Sequence, residues 1–354
     1  MKLRDLLPLG ALGAVLALTA CGAAPASSGP AAVAVPPPVS AAQLSTVTLR
    51  IGDQKGSSEQ VLLKAAGLLD DIPYRVEWST FTSGPPMLEA VNAGAVDVGQ
   101  VGNTPPIFSA AAGGNIGIVG VLRARVGDAV LVPRGSSIRA LADLRGKRIA
   151  VAKGSSSNGT LLNTLSSAGL KPTDVTINYL QPADAYAAFN QGSVDAWAVW
   201  DPYVAEAVQN LGAQELVSGS DAISGSGPAA GTPLSNGYTF QVAGRSALAD
   251  AGKNTAIEDY VVRIAKADLW ATQHPDQWAA IYAQQTAIPL DIAKKALPGI
   301  TLDPLLIDDS VVASEQKLAD AFAAAGQLPG KVDMAPFIDR RYNTAVQPLV
   351  GGAK

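Results

Sequence analysis

The stretch Arg148–Leu162, RIAVAKGSSSNGTLL, is the part of the sequence from which the fold is best interpreted. It predicts a short apolar strand over Ile149–Ala152, then a turn rich in Gly and Ser, then a helix that begins at Asn158 or Gly159. A strand, turn and helix start of this kind bring several free backbone N–H groups and Ser hydroxyls to one point. The stretch therefore predicts a site that can hold an anion.

The same pattern occurs once earlier in the chain, at an offset of 98 residues. The matches at this offset are Arg50-Ile51 with Arg148-Ile149, Lys55–Ser58 with Lys153–Ser156, and Asn92-x-Gly94-x-Val96-Asp97 with Asn190-x-Gly192-x-Val194-Asp195. Either loop alone could merely join a strand to a helix. The duplication favours two similar lobes, each of which presents a polar helix start to a shared space.

The composition sets limits on the function. The 354 residues can form two domains or one large split domain, and a chain that is 48% hydrophobic and 16% charged is too apolar for disorder. With 26 Lys and Arg against 30 Asp and Glu and no basic stripe, nucleic acid is not an expected partner. A single Cys and a single His exclude a disulfide framework within the chain and argue against a zinc site. No metal or cofactor is expected.

Motifs for catalysis are missing from the sequence. There is no Gly-x-Ser-x-Gly elbow, no P-loop and no Cys-x-x-Cys pair. A Ser-His-Asp triad would need His274, which we expect in a turn with no functional role. The adjacent carboxylates Asp70-Asp71 and Asp308-Asp309 are typical of solvated turns. The sequence gives no positive support for an enzyme.

The first residues are typical of a targeting signal. Lys2 and Arg4 precede an apolar run, Leu6–Ala20, which is too short to span a membrane as a helix but suits a signal peptide over residues 1–20. The run ends in LTAC, which resembles the bacterial lipobox, in which the Cys becomes the lipid-modified first residue of the mature chain. This resemblance implies lipidation of Cys21. The alternative is an ordinary secretory signal with an incidental Cys.

The remainder of the chain divides by composition and periodicity. Residues 21–46 are uncharged and rich in Ala, Pro, Ser and Gly, which predicts a flexible tether. Alternating strand and helix patterns follow over 47–126 (lobe 1) and 127–240 (lobe 2), and they predict parallel strands with crossover helices. Residues 219–237 are expected to form a loop. Residues 241–354, mainly helical, are expected to complete lobe 1.

Four segments carry a resemblance to a known family: GDQKGSSEQVLLKAAGLL (52–69), FTSGPPMLEAVNAGAVDVGQVGNTPPIFSAAAG (81–113), VAKGSSSNGTLL (151–162) and YLQPADAYAAFNQGSVDAWAVWDPY (179–203). Together they resemble the aliphatic-sulfonate-binding proteins of ABC importers, within a wider group that also binds nitrate, taurine and thiamine precursors. The resemblance implies a type II periplasmic-binding-protein fold, in which two α/β lobes are joined by two crossing strands and the ligand lies between them. It also implies a monomer that delivers an organic anion to a membrane permease from the extracytoplasmic side.

The resemblance also implies a set of ligand-binding positions. They are Gln54, Gly56, Ser57, Ser58, Gly84, Pro85, Asn103, Thr104, Ser155, Ser156, Ser157, Asn158, Trp200 and Asp201. One departure is Asn103-Thr104, where the family often carries an Asp. An amide can donate a hydrogen bond to an oxyanion that a carboxylate would repel, so the geometry around the head group is expected to differ.

The chemistry of these positions suits a sulfonate, whose single charge is spread over three acceptor oxygens. Helix N-termini and Ser or Asn donors can bind it without a buried cation. Lys55 and Lys153 are expected to point to solvent. For the organic tail, the candidates for an apolar wall are Trp200, Phe108, Pro85 and Phe81. Trp197 lies three residues from Trp200 in a predicted strand and should therefore face the opposite way.

Two other classes of function stay open. The first is a binding protein of the same fold for another solute, such as taurine, nitrate or a heterocycle. Nitrate predicts little use for an apolar wall, whereas a heterocycle predicts stacking aromatic side chains in both lobes. The second is a biosynthetic enzyme of the pyrimidine-synthesis type, which depends on His and Cys chemistry that this sequence lacks.

Overall fold

The computed structural model describes residues 30–54, 58–229, 231 and 233–351. The strands of this part are β1 (Thr48–Gln54), β2 (Arg75–Phe81), β3 (Val98–Gly102), β4 (Ile116–Ala124), β5 (Ala129–Val132), β6 (Arg148–Val151), β7 (Thr176–Tyr179), β8 (Ala196–Val199), β9 (Gln214–Val217), β10 (Tyr238–Gly244) and β11 (Leu302–Leu305). The predicted signal peptide and Cys21 lie outside the described residues.

The helices are α1 (Ala41–Leu44), α2 (Glu59–Ala65), α3 (Gly84–Asn92), α4 (Thr104–Ala111), α5 (Ser156–Ser167), α6 (Pro182–Asn190), α7 (Tyr203–Leu211), α8 (Gly219–Ser224), α9 (Arg245–Ala249), α10 (Ala251–Gln273), α11 (Pro275–Thr286), α12 (Leu290–Ile300), α13 (Asp309–Ala324) and α14 (Asn343–Val346). Most begin at a Pro or a polar capping residue, and several end before a Gly in the left-handed region, such as Gly94 and Gly169. Within the described part of the chain, no helix has the length and apolar character needed to cross a membrane.

The strands form two sheets, and the expected two α/β lobes are confirmed. Lobe 1 contains a six-stranded sheet in the order β11-β4-β10-β3-β1-β2, and lobe 2 a five-stranded sheet in the order β7-β6-β8-β5-β9. The central strands β5 and β8 are buried on both faces, which explains their unbroken apolar runs AVLV and AWAV. The chain passes between the sheets twice, through residues 125–128 and residues 218–237.

The sequence predicted parallel strands, but several strand pairs are antiparallel. β10 is antiparallel to β3 and β4, and β5 is antiparallel to β8 and β9. Each of these two strands follows a passage between the lobes and not a crossover helix, so the rule for βαβ units does not fix its direction. Since all of β10 pairs within lobe 1, the predicted boundary at residue 240 falls inside a strand and is wrong by a few residues.

The 98-residue repeat has a structural explanation. In lobe 1 the Arg50 side chain donates to both carboxylate oxygens of Asp97, and the Arg50 backbone N–H donates to the same group. In lobe 2 Arg148 makes the same three bonds to Asp195. Each contact ties the first residues of a central strand to the turn that precedes its neighbour. These matched residues therefore stabilise the lobes and do not line the space between them.

Part of the predicted tether is attached to lobe 1. The backbone carbonyl of Val33 accepts a bond of 2.9 Å from the Arg341 side chain, and the Val39 N–H donates to Thr255 Oγ1 over 3.2 Å. Leu44, at the end of α1, is 8% exposed and belongs to the lobe 1 core. The expectation of a flexible segment up to residue 46 is therefore wrong for residues 33–46. Val33 and Val39 pack against the lobe 1 core, and these two hydrogen bonds hold the backbone beside it.

Some other helices and strands were not predicted from the sequence. The segment 219–237, expected to be a loop, begins with α8, which Ser218 caps by accepting from the Asp221 N–H over 3.1 Å. The short strands β9 and β11 were not predicted. β11 has the sequence LDPL, and Pro304 is tolerated because β11 is an edge strand of the sheet.

Candidate functional site

A cavity of about 110 Å³ lies between the two lobes. Its wall includes residues from both lobes and from both passages between them. The lining residues are Gln54, Gly84, Gln100, Val101, Gly102, Asn103, Pro105, Ala124, Val126, Gly127, Asp128, Ser155, Ser156, Trp200, Asp201, Ser235, Gly237, Tyr238, Thr239, Gly299, Ile300 and Leu302. A space of this kind between two lobes is a common location for a small-molecule site.

Three helices begin at this cavity. Gly84, Asn103 and Ser156 line it, and they mark the starts of α3, α4 and α5. None of these three helices has an acidic residue in its first turn. The first backbone N–H groups of a helix lack intrahelical partners, and the helix dipole adds partial positive charge at the same end. The arrangement therefore favours an anion in the cavity.

The lobes touch each other beside the cavity, at positions where only Gly fits. A Cβ atom placed on Gly102 at the end of β3 would lie 2.7 Å from Ser156 Cβ. A Cβ atom on Gly159 in α5 would lie 2.6 Å from Thr104 Oγ1 at the start of α4. The starts of α4 and α5 consequently approach each other closely, one from each lobe.

The structure brings about half of the predicted site residues to the cavity wall. Those that line it are Gln54, Gly84, Asn103, Ser155, Ser156, Trp200 and Asp201. Those described residues that do not line it are Ser58, Pro85, Thr104, Ser157 and Asn158. The predicted positions Gly56 and Ser57, together with Lys55, lie outside the described residues.

Helix α5 begins at Ser156, two residues before the earliest start that the sequence predicted. Ser155 is its N-cap and accepts from the Asn158 N–H over 3.3 Å. Ser157 is fully buried, and its Oγ has no hydrogen-bond partner among the described residues. The Asn158 side chain accepts from the Gly154 N–H over 3.0 Å and so closes the preceding turn. Ser157 and Asn158 therefore lie behind the cavity wall.

The amide of Asn103 is largely occupied by other partners. Its Nδ2 donates to Asn236 Oδ1 over 2.7 Å, and its Oδ1 accepts from Thr104 Oγ1 over 2.9 Å. Asn236 in turn donates to Ser314 in α13 over 3.0 Å. The side chain that was expected to donate to an oxyanion thus also holds the second passage between the lobes against lobe 1.

The aromatic residues are divided between wall and core. Trp200 lines the cavity and meets Tyr203 edge to face with ring centroids 6.1 Å apart, whereas Trp197 is 1% exposed in the core of lobe 2. Phe108, expected in the apolar wall, packs instead against Phe322, with centroids 5.2 Å apart. Phe81 and Pro85 do not line the cavity either. Other apolar side chains of the cavity lining include Pro105, Tyr238, Ile300 and Leu302.

Lys153 also has a defined partner. Its Nζ lies 5.6 Å from the centre of the Tyr179 ring, a cation–π distance, and it does not line the cavity. Of the described lining residues, none is Lys, Arg or His.

Two carboxylates line the cavity, and the sequence indicated only one of them. Asp201 Oδ1 accepts from the Ala205 N–H over 3.2 Å at the start of α7, as a capping residue does. Asp128 is 7% exposed, and its Oδ2 accepts from Thr160 Oγ1 over 3.4 Å. Burial raises the pKa of Asp128 to about 6. Burial, with the nearby charges of Glu215 and Asp128, raises the pKa of Asp201 to about 7.

A buried polar network supports the cavity from lobe 1. Gln54 Nε2 donates to the Gln100 carbonyl over 2.6 Å, and Gln241 Nε2 donates to Gln100 Oε1 over 2.8 Å and to Glu59 Oε1 over 2.7 Å. The Tyr260 hydroxyl donates to Glu59 Oε2 over 2.8 Å. Burial, and then the charge of Asp53, raises the pKa of Glu59 to about 8.

Glu59 should make the stability of the protein depend on pH. Its native pKa of about 8 is above the usual 4.5, so the folded state keeps a proton that the unfolded state releases. Stability from this group is therefore complete below pH 4.5 and is lost as the pH rises to about 8, by on the order of 1 kcal/mol per pH unit. Urea denaturation of Glu59→Gln across this range should show a flatter profile than wild type. Glu77→Gln, at an exposed position, is the control, and a Glu59→Gln profile parallel to wild type would contradict the assignment.

Two lobes around a cavity that faces several helix starts define a solute-binding protein of the type II periplasmic-binding-protein fold. The chain belongs to the NMT1-like family, whose model matches residues 33–220. A relative from Escherichia coli (strain K12), named as an aliphatic sulfonates-binding protein, is 38% identical over 301 residues, which are 83% of this chain and 89% of the relative. A relative of the same name from Bacillus subtilis (strain 168) is 31% identical and covers 83% of this chain and 86% of its own length.

A solved structure gives the same classification. The alkanesulfonate-binding protein SsuA from Xanthomonas axonopodis pv. citri, bound to MOPS, is similar to this chain with a TM-score of 0.74 and 33% sequence identity. The similarity covers 83% of this chain and 98% of that one. The relatives are binding proteins by name, and the family predicted from the sequence is confirmed.

Proposed function

We propose that this chain is the solute-binding component of an ABC importer and that it captures an organic sulfonate in the cavity between its lobes. The observation that carries the proposal is the convergence of the α3, α4 and α5 starts, free of acidic residues in their first turns, on that cavity. A sulfonate can use such donors because its charge is shared by three oxygens. The names of the sulfonate-binding relatives, and of the relative bound to MOPS, support the same class of solute.

Capture is proposed to occur by closure of the lobes. Two hydrogen bonds between the lobes support this mechanism. The Tyr179 hydroxyl of lobe 2 donates to Gln327 Oε1 over 3.0 Å, and Thr82 Oγ1 of lobe 1 donates to Gln181 Oε1 over 3.2 Å. Both bonds join one lobe to the other and would be lost if the cleft opened.

The protein is proposed to act outside the cytoplasmic membrane as a monomer, anchored through lipid on Cys21, and to deliver its ligand to a membrane permease. Residues 1–20 would be the signal peptide, and the tether would extend from Cys21 to about residue 32. Lobe 1 would then comprise residues 33–126 with the C-terminal part from Tyr238 onward, and lobe 2 the intervening residues.

A thermal-shift screen tests the solute class. Butanesulfonate at about 100 times its Kd should stabilise the protein by roughly 2.7 kcal/mol, a rise in Tm of several degrees. At the same concentration as butanesulfonate, nitrate and sulfate should give smaller shifts, because neither has a tail to cover the apolar wall and both should therefore have a higher Kd. A large shift with nitrate and none with any sulfonate would contradict the proposal.

The protein is proposed to bind its ligand without converting it. His274 stacks on Trp270, with ring centroids 5.1 Å apart, and is not among the residues that line the cavity. An enzyme of the pyrimidine-synthesis type would need a His at its site, and no imidazole is among the described residues that line this cavity. A sulfonate recovered unchanged after long incubation, as followed by proton NMR, is the expected result.

Trp200 should act on the tail of the ligand. Trp200→Ala should weaken long-chain sulfonates more than short ones, by roughly 0.8 kcal/mol for each methylene that the ring no longer covers. Calorimetric titration of ethane-, butane- and hexanesulfonate would give the dependence on chain length. Trp270→Ala on α10, away from the cavity, is the control. An equal loss for all three ligands would instead assign Trp200 to packing.

A further inference from the structure

Asn103 stands at the start of α4 but does not act there as an ordinary helix cap. A capping Asn accepts from the backbone N–H of the second or third helical residue. In α4 these residues are Pro105 and Pro106, which have no N–H, and Asn103 makes no capping hydrogen bond. The residue is nevertheless only 4% exposed and lines the cavity. Capping therefore does not explain why an Asn occupies this position.

The contacts of Asn236 determine which end of the Asn103 amide is the donor. Asn236 Oδ1 accepts from the Tyr238 backbone N–H over 2.9 Å, and a backbone N–H can only donate. The Asn236 atom at this point must therefore be the carbonyl oxygen. Because the same oxygen contacts the Asn103 side chain over 2.7 Å, the Asn103 atom that meets it must be Nδ2.

Two hydroxyls complete this network and hold both amides in place. Thr104 Oγ1 donates to Asn103 Oδ1 over 2.9 Å, and Asn236 Nδ2 donates to Ser314 Oγ in α13 over 3.0 Å. Turning the Asn103 amide over would place its carbonyl oxygen against Asn236 Oδ1, so that two acceptors would face each other at hydrogen-bond distance. The orientation of the Asn103 amide is therefore set by Asn236.

Asn236 itself lies in the second passage between the lobes. Its neighbours Ser235 and Gly237 line the cavity, whereas Asn236 is not among the described lining residues. The Gly237 carbonyl accepts from the Ala124 N–H over 2.9 Å, which joins the second passage to the end of β4, just before the first. The residue that orients the Asn103 amide thus belongs to the segment that connects the lobes.

We propose that Asn236 is a positioning residue for ligand capture, which holds the Asn103 NH₂ group so that its second N–H donates to the sulfonate. This inference rests on the proposed function, and it assigns control of the head-group contact to a residue outside the cavity lining. An amide NH₂ has two N–H donors, and Asn236 accepts from one of them. Without Asn236 the amide would be free to turn and present its carbonyl oxygen, which repels an anion.

A double-mutant cycle on the full-length protein tests the inference. In calorimetric titration, Asn236→Ala and Asn103→Ala should each weaken butanesulfonate by about tenfold, as expected when a hydrogen bond to a charged group is lost. The double variant should bind within about twofold of Asn103→Ala alone, because Asn236 acts through Asn103. Ser314→Ala removes the acceptor of Asn236 Nδ2 and should act in the same direction, which provides a second variant if Asn236→Ala does not fold.

Asn92→Ala is the matched control in lobe 1. Asn92 Nδ2 donates to Ser109 Oγ over 2.9 Å, and its Oδ1 accepts from the Asn115 N–H over 2.8 Å, so it joins a Ser hydroxyl to a backbone N–H as Asn236 does. Asn92 is not among the described residues that line the cavity. The control should lose stability in urea, as Asn236→Ala should, but bind butanesulfonate like wild type.

The possible failures can be told apart. If Asn236→Ala folds and binds butanesulfonate like wild type, this inference is overturned and the proposed function stands. If the losses of the two single variants add in the double variant, Asn236 acts on the fold and not through Asn103, and the inference is again overturned. If no sulfonate binds wild type, the proposed function fails and the inference fails with it.

Discussion

Replacing Asp97 with Asn should lower the free energy of unfolding by roughly 3 kcal/mol, because it breaks a largely buried charge network. Asp97 accepts from the Arg50 guanidinium at 2.6 and 3.1 Å, from the Arg50 backbone N–H at 3.0 Å and from Lys253 Nζ at 2.8 Å. Asn would present an amide NH₂ to these donors and leave two cations without their counter-charge. The Lys253 bond also ties α10 to the sheet of lobe 1, so its loss should weaken the packing of the C-terminal helices.

Asp195 supplies a matched control in lobe 2. It accepts the same three bonds from Arg148, but its side chain is 32% exposed and Arg148 is 46% exposed. Exposed pairs contribute little, so Asp195→Asn should cost less than about 1 kcal/mol. Urea denaturation of both variants gives the comparison. Equal losses would mean that burial and the additional cation do not set the energy of this contact.

The free energy of unfolding at low pH should also depend on the contact of Asp97 with Arg50 and Lys253. Burial alone would raise the pKa of Asp97, but the hydrogen bonds from Arg50 and Lys253 outweigh it and hold the pKa below the usual 3.8. The stabilisation is therefore present above pH 3.8 and is lost as the pH falls through the lower native value. Asp97→Asn should be less sensitive to acid in this range than wild type.

The sequence was sufficient for the elements that have strong local signals. Helix α6, Pro182–Asn190, has such signals at both ends, since Pro begins it and Gly192 follows it in the left-handed region. The two lobes followed from the 98-residue repeat, although the repeated Arg and Asp residues stabilise each lobe and do not bind the ligand. β11 was missed because a Pro normally argues against a strand, and only the finished sheet shows that Pro304 lies at an edge.

The site was harder to predict than the fold. The polar loops were correctly expected to end near one another, but the start of α5 differed by two residues. At about 100° of rotation per residue, such a difference decides which side chains face the cavity and which face the core. Asp128 belongs to no sequence motif. Its place in the cavity wall depends on folding, which brings it to Thr160, 32 positions away. Tyr238 and Ile300 enter the wall from parts of the chain that only tertiary structure brings together.

Replacing Gly102 with Val should reduce sulfonate affinity by roughly 5- to 150-fold without unfolding the protein. A single Cβ atom at this position would lie 2.7 Å from Ser156 Cβ and 3.0 Å from Ser156 Oγ, so the lobes could not approach as closely as they do here. Lobe 2 has a core of its own, and the lobe 1 core around β3 takes only Leu162 from α5, so the clash falls at the contact between the lobes. The variant should therefore be folded but unable to close fully.

Calorimetric titration and solution scattering separate closure from folding. Wild type should show a smaller radius of gyration with saturating sulfonate, whereas Gly102→Val should keep the larger radius at ligand concentrations that saturate wild type. Gly330→Val is the control, because Gly330 is exposed and an added Cβ there meets no atom within 4 Å among the described residues. If Gly102→Val binds sulfonates like wild type, close approach of the α4 and α5 starts is not needed for binding, and one lobe alone must hold the anion.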